Sequence, residues 1–303
     1  MTDRKHYQVS DKSVIDYQLY NFNDLQLRGP KSSSENFIAY IGGAQTFGRF
    51  CQHPFPSIVG SRLNVGTLNF GRGGAGPAYF ANSDMILNSV NQAKVAVIQI
   101  MSGRSVNNSV FFSLNHTGYG VRLIDGKEMK AIHVYKELAN GRDPRGKDVD
   151  FIKNLVSESR QIYVDQMISL LKKIKPPKIL LWLSVRHPKY EENYDARASQ
   201  KEWIRSYLNN LIQTVSNGRS GFLRGYSPER NIYSDFPHLV NSEMLELIKP
   251  YCETYVECVT KVGLPQILVD GKGNKVGENK YYPSPEMHLS AAKVLYPICS
   301  KLL

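Results

Sequence analysis

Cysteine is scarce in this 303-residue chain, and Cys51, Cys252, Cys258 and Cys299 contain no Cys-x-x-Cys pair. Such a set frames no disulfide scaffold and fits a reducing compartment. The seven histidines are scattered, without the close Cys/His spacing that a zinc site requires, so no metal is expected. No stretch approaches the ~18 uninterrupted apolar residues of a membrane span. The opening Met1-Thr2-Asp3-Arg4-Lys5-His6-Tyr7 is polar and leads into no apolar region of a secretory signal, so the reading is cytoplasmic. Internal repeats and low-complexity tracts are also missing. With 42% hydrophobic and 21% charged residues, the composition excludes disordered and fibrous classes.

Positive charge, by contrast, is plentiful. The chain has 38 Lys+Arg against 27 Asp+Glu, a formal net charge of +11. This favours acidic partners: nucleotides, sulfated or phosphorylated sugars, anionic lipid or nucleic acid. The densest run, Lys172, Lys173, Lys175 and Lys178, falls where a helix should end and a strand begin. The helix dipole accounts for it better than a nucleic-acid patch does.

Five short apolar runs lack period-2 alternation: Phe37 to Ile41, Val65 to Phe70, Val95 to Met101, Ile179 to Leu183 and Tyr255 to Val259. They read as strands buried on both faces. Helical spacing runs through Pro56 to Leu63, Ala78 to Asn91, Asp150 to Ile174, Ser242 to Tyr251 and Pro285 to Leu302. The alternation predicts an α/β fold: three layers around a doubly wound, mostly parallel five-stranded sheet. Residues 1–35 read as an N-terminal extension and 36–303 as one domain. Two excursions interrupt it, at about 103–149, with a hairpin signal over Gly118 to Gly126, and at about 185–240, which carries Pro188, Pro228 and Pro237. The second is rich in tyrosine, with Tyr190, Tyr194, Tyr207, Tyr226 and Tyr233. Aromatic faces with hydroxyl edges suit carbohydrate rings and protein interfaces equally.

In open α/β sheets ligands bind beyond the carboxyl ends of the strands. The segments there are Gly42 to Gly48, Asn69 to Gly76, Ser102 to Asn108, Ser184 to His187, and Tyr281 to His288. Their layout resembles the SGNH, or GDSL-type, hydrolase superfamily over about residues 36–300. Gly42, Thr46 and Gly48 fit its first block, Asn69 and Gly71 the second, Gly103 with Asn107 or Asn108 the third, and His288 the last. The Gly-Gly-x-x-Thr-x-Gly start and Tyr-Tyr-Pro-Ser-Pro-x-x-His end are also similar to an uncharacterised bacterial family of this fold, loosely associated with surface-polysaccharide loci.

The departures limit what the resemblance implies. Ala44 stands at the nucleophile position, Gly43 at the neighbouring aspartate, and Pro285 at the triad acid. A methyl group cannot attack a carbonyl, so the Ser-His-Asp mechanism loses two of three members, and restoring Ala44→Ser alone should not recover hydrolysis. The backbone at Ala44 and Gly71, with Asn107 or Asn108, supplies the parts of an oxyanion hole. Gly43, Gln45, Thr46, Asn69 and Gly103 share these turns. Arg104 and Arg186 each follow a strand and suit phosphate, sulfate or carboxylate, so the one co-substrate expected is an anionic group donor. His288 is the candidate general base, with His187 second. Cys51 reads as core and Thr46 as structural. Gly71 to Gly76 approaches a dinucleotide fingerprint but follows the second strand, and no acid stands about 20 residues on, so it reads as a tight turn or phosphate nest rather than an NAD site.

Two functions fit. One is a transferase or atypical esterase acting on a carbohydrate or glycoconjugate, with His288 as base. The other is a degenerate hydrolase retained as a carbohydrate- or anion-binding or assembly module.

Overall fold

The computed structural model describes residues 7–31, 34, 36–139, 142–190, 192 and 236–303. The central sheet has five parallel strands, β1 (Phe37–Ile41), β2 (Gly66–Asn69), β3 (Val95–Gln99), β4 (Lys178–Ser184) and β5 (Thr254–Val259), in the order β2-β1-β3-β4-β5. Strand order reverses between β1 and β3, the position where doubly wound sheets open a crevice.

The missing period-2 pattern has a direct cause: both faces of the sheet are covered. Ala39, Ile41, Ala96, Ile98, Leu180 and Trp182 face one layer, made by the helices Pro77–Ala81, Asp84–Val90, Val149–Lys173 and Ser242–Ile248. Ile38, Tyr40, Val95, Val97, Ile179 and Leu181 face the other, made by Phe55–Leu63 and Pro285–Leu302. The three-layer α/β architecture is thus present, with each of the five strands of the central sheet overlapping its predicted apolar run.

Several local differences have clear reasons. The helix expected over Ala78 to Asn91 is two helices, because the Ser83 side chain accepts from the Ile86 amide and caps a new start. Ser242–Ile248 tightens into a 3₁₀ turn at Lys249–Tyr251, which contains Pro250. Lys172 and Lys173 close the long helix as the dipole favours, and Lys173 donates to the Ala81 carbonyl at 2.8 Å.

The first excursion is a three-stranded antiparallel sheet, Phe111–Ser113, Tyr119–Arg122 and Lys127–Lys130, followed by the helix Ala131–Ala139. Its apolar side packs Phe111, Val134, Tyr135 and Leu138 on Ile152, Leu155 and Val156 of the long helix. Of the second excursion, 185–190, 192 and 236–240 are described; Tyr194, Tyr207, Tyr226 and Tyr233 lie outside the described residues.

Residues 7–31 pack against the rest of the chain. The hairpin Tyr20–Phe22/Leu25–Leu27 packs into the larger core, and Ile15 and Tyr17 enclose Phe47. A second hairpin, Gln266–Val269/Lys275–Asn279, has no counterpart in the sequence reading. Among the described residues no helix is long and apolar enough to cross a membrane.

Candidate functional site

The turn after β1 is fastened by a side chain the sequence reading did not single out. Gln99, at the end of β3 and fully buried, accepts through Oε1 from the Gly43 amide at 3.0 Å and from the Thr46 hydroxyl at 2.9 Å. A Cβ at Gly42 would collide with Thr46 Oγ1 and Gln99, which explains the glycine there. Thr46 is therefore a positioning residue. Asn69 extends the brace, donating to the Thr46 carbonyl at 2.9 Å and accepting from the Gly71 amide at 2.9 Å. Gly71 lies against the backbone of Thr46 and Phe47, where a Cβ would overlap the Phe47 nitrogen.

Of the amides expected in an oxyanion hole at this edge, that of Gly71 is spent on Asn69, and the neighbouring Gly43 amide on Gln99. Asn108 is spent as well. Its Nδ2 donates to Tyr135 Oη and Ser159 Oγ at 2.8 and 3.0 Å, and its Oδ1 accepts from the Val110 and Phe111 amides, both at 3.0 Å. All of its donor capacity is used. Asn107 turns into the first excursion, accepting from the Ser113 amide at 2.8 Å.

His288 is fully buried in the final helix, and its Nδ1 accepts from the Phe55 amide at 3.2 Å while the ring stacks on Phe55. The accepting nitrogen cannot carry the ring proton, so Nε2 carries it. Burial, with Arg28 acting in the same direction, pushes the imidazole down to about 3. In this geometry no basic nitrogen faces a substrate, which departs from the expected general base. The motif spacing placed His288 on the right helix but not its ring direction.

The two other expected contributors from β4 also point elsewhere. Arg186 is buried, donates to the Pro237 carbonyl at 2.6 Å and lies 3.7 Å from the Tyr190 ring centroid, tying the second excursion down. His187 faces outward, with Nε2 3.3 Å from Glu257 on β5. Cys51 is core: its thiol contacts the His53 carbonyl, and burial pushes it up to about 12. The glycine run is a turn pinned to the first excursion, with the Gly74 carbonyl accepting from Ser105 Oγ at 2.9 Å and from the Gly118 amide at 2.6 Å.

A different constellation occupies the edge beside the strand reversal. After β3, Ser102 Oγ lies 2.9 Å from Nδ1 of His238, a buried histidine at the end of the second excursion. The Arg104 amide also points at Ser102 Oγ, at 3.3 Å. Gly103 permits the approach: its amide donates to the His238 carbonyl at 2.9 Å, and a Cβ there would sit 2.9 Å from that oxygen. On the far side His238 Nε2 is 3.4 Å from Tyr281 Oη, with the two rings stacked at 16°. Tyr281 is set by Asn279, whose Oδ1 accepts from the amides of Tyr281 and Tyr282 at 3.1 and 2.9 Å. Arg104 completes the group. Burial holds its guanidinium below the ordinary value, while the hydroxyls of Tyr281 and Tyr135 act in the opposite direction.

A cavity of about 40 Å³ adjoins this group, lined by Gln45, Ser184, Phe236, Lys280, Tyr281 and Met287 among others. Gln45 follows Ala44, buried at the start of the short helix after β1. Of the sequence candidates, the structure gathers Gly43, Ala44, Gln45, Gly103 and Arg104 near this edge, lets Arg186 reach it only through the Pro237 carbonyl beside His238, and leaves Asn107, Asn108, His187 and His288 apart from it. His238 and Ser102 were missed as a pair; the available signal was a histidine after Pro237 in a long excursion and a serine directly after a strand. Among the described residues no group of three or more His, Cys, Asp or Glu could hold a metal ion.

A family model described as a domain of unknown function, DUF6473, matches residues 5–117, less than half of the chain. Solved structures with similar layout include a lipase from a goat rumen metagenome, with 11% identity over 86% of this chain and 96% of that one and a TM-score of 0.42. An acetylxylan esterase from Geobacillus stearothermophilus has 12% identity over 88% and 95%, with a TM-score of 0.40. A family two carbohydrate esterase from Clostridium thermocellum, in complex with cellohexaose, has 13% identity over 91% and 67%, with a TM-score of 0.32. Likeness at this level assigns neither a residue nor a reaction to this chain.

Proposed function

We propose that the chain is a transferase or atypical esterase that moves an acyl group on a carbohydrate or glycoconjugate, with Ser102 as nucleophile and His238 as its base. The observation that carries this reading is the 2.9 Å contact between Ser102 Oγ and His238 Nδ1 beside the strand reversal. Nucleophile and base within hydrogen-bond reach, with a third group orienting the base, is the arrangement that activates a serine. Tyr281 is the orienting group. When His238 Nε2–H donates to Tyr281 Oη, Nδ1 is free to accept the serine proton.

In the first step Ser102 Oγ bonds to the acyl carbon while its proton passes to Nδ1. The same proton then moves to the departing sugar oxygen as the ester bond breaks. In the second step water or an acceptor hydroxyl attacks the acyl-serine, giving up its proton through His238 and returning Ser102. The Arg104 amide directed at Oγ favours the serine oxyanion, and the Arg104 guanidinium suits an anionic part of the donor. Tyr281, 40% exposed, offers a ring face beside Lys280. The setting in surface-polysaccharide biosynthesis suggested by motif resemblance belongs to this reading.

The alternative is a carbohydrate- or anion-binding or assembly module without catalysis. A fluorophosphonate probe followed by peptide mass analysis separates the two. The enzyme reading expects covalent labelling at Ser102, lost in Ser102→Ala and in His238→Asn, with release of acetate from an acetylated oligosaccharide lost in parallel. No labelling, together with oligosaccharide binding unchanged in Ser102→Ala, would establish the binding module instead.

A further inference from the structure

Arg28, directly after the hairpin of residues 20–27, is 4% exposed. Its Nη2 donates to the carbonyls of Cys51 and Gln52 at 2.6 and 3.0 Å, and its guanidinium carbon lies 4.6 Å from the Tyr17 ring centroid and 5.5 Å from that of Phe47. Nε and Nη1 have no hydrogen-bond partner among the described residues. His288 holds the same stretch of chain three residues further on, through the Phe55 amide, and its buried Nε2 has no partner either. The two side chains interact electrostatically, Arg28 helping to depress the imidazole, while burial brings Arg28 itself down to about 10.

The nearby charges do not resolve this. Asp16, the acidic residue that acts on Arg28, is exposed, and its Oδ1 accepts from the Gln18 amide. Asp11 is occupied by Arg49, Ser10 and Tyr17, and the influence of Glu286 falls on Cys51. Among the described residues, three buried donors on two side chains are thus left with no acceptor, and one of those side chains is a cation. Buried donors in that state are costly, and a buried charge without a counterion more so. Their complement accepts hydrogen bonds and carries negative charge. A single water could accept from only two of these three donors and would leave the charge uncompensated.

We propose that a small monovalent inorganic anion, of the chloride class, binds between Arg28 and His288 and locks the 51–55 segment to the N-terminal extension. The ion is structural and independent of the Ser102 chemistry.

The test is thermal unfolding of the whole chain in sodium chloride or sodium bromide against sodium gluconate at equal ionic strength. An anion held only by the native state should raise the melting temperature by about 2–4 °C for each tenfold increase in halide above its Kd. Crystals grown with bromide should show an anomalous peak between the Arg28 guanidinium and His288 Nε2. In Arg28→Met the halide dependence should vanish. Equal melting in halide and gluconate, or density for water alone at the site in bromide, overturns the proposal; the bromide experiment uses the wild-type chain and so does not depend on the variant folding.

Discussion

His288 and His238 are both buried near the carboxyl edge of the sheet, yet one is held by the backbone and the other by side chains. His288 accepts a backbone amide and faces Phe55, so its ring serves the joint between the final helix and the helix Phe55–Leu63. His238 bridges a serine hydroxyl and a tyrosine hydroxyl, groups that can exchange protons with it. Burial alone therefore does not distinguish the two histidines. The chemistry of the partners does.

The sharpest way to break this comparison is to remove each ring in turn. On the proposed mechanism, Ser102→Ala and His238→Asn should each lower acyl transfer by ~10³-fold or more, and the double variant by little beyond either, because residues acting as a unit are not additive. Steady-state rates with an acetylated oligosaccharide check this, with circular dichroism confirming the fold. A full-rate His238→Asn would return both histidines to structural roles.

His288→Ala should do the reverse, leaving kcat within twofold while costing about 2–4 kcal/mol in urea unfolding, from the lost ring and the orphaned Phe55 amide. The pH dependence follows from the same burial. The folded-state value near 3 lies below the unfolded value of 6.5, so the unfolded chain binds the proton first. The stabilisation is full above pH 6.5 and is lost as pH falls toward 3, at up to about 1.4 kcal/mol per pH unit. His288→Gln should flatten that slope, read as urea midpoints between pH 3.5 and 7.

Gly71→Ala probes the brace between the first two turns. The new methyl would overlap the Phe47 nitrogen, so destabilisation of about 1–3 kcal/mol is expected from forced backbone movement. Activity per folded molecule should persist, because the Gly71 amide bonds to Asn69 rather than to a ligand. A loss of turnover without loss of stability would place Gly71 in the site after all.

The five strands could be read from the sequence because burial on both faces leaves uninterrupted apolar runs, as in Phe37–Ile41. The hairpin Gln266–Val269/Lys275–Asn279 could not, since it is largely exposed, with Ile267 at 58%, and carries no such pattern. At the site, spacing located the turns but not the direction of the side chains. Gln99 reads as the polar end of a strand until Gly43 and Thr46 are seen to share its oxygen. His238 belongs to no motif, and its partners Ser102 and Tyr281 lie 136 and 43 residues away in sequence. Contacts of that range are set by the fold, which brings the turn after β3, the end of the second excursion and the stretch after the second hairpin to one edge.

The smallest effect is expected at His187, the second base in the sequence reading. Its side chain is 55% exposed and faces Glu257 at 3.3 Å, an ion pair screened by solvent when the ring is charged. His187→Ala should change stability by no more than about 0.5 kcal/mol and leave turnover unchanged. The Arg186 side chain beside it is buried and holds the Pro237 carbonyl, next to His238. Arg186→Ala should therefore lower kcat through the position of His238, with a smaller effect from Arg186→Lys, which keeps a donor. If His187→Ala proves the more damaging of the two neighbours, the reacting groups lie toward β5 and not at the β1–β3 crevice.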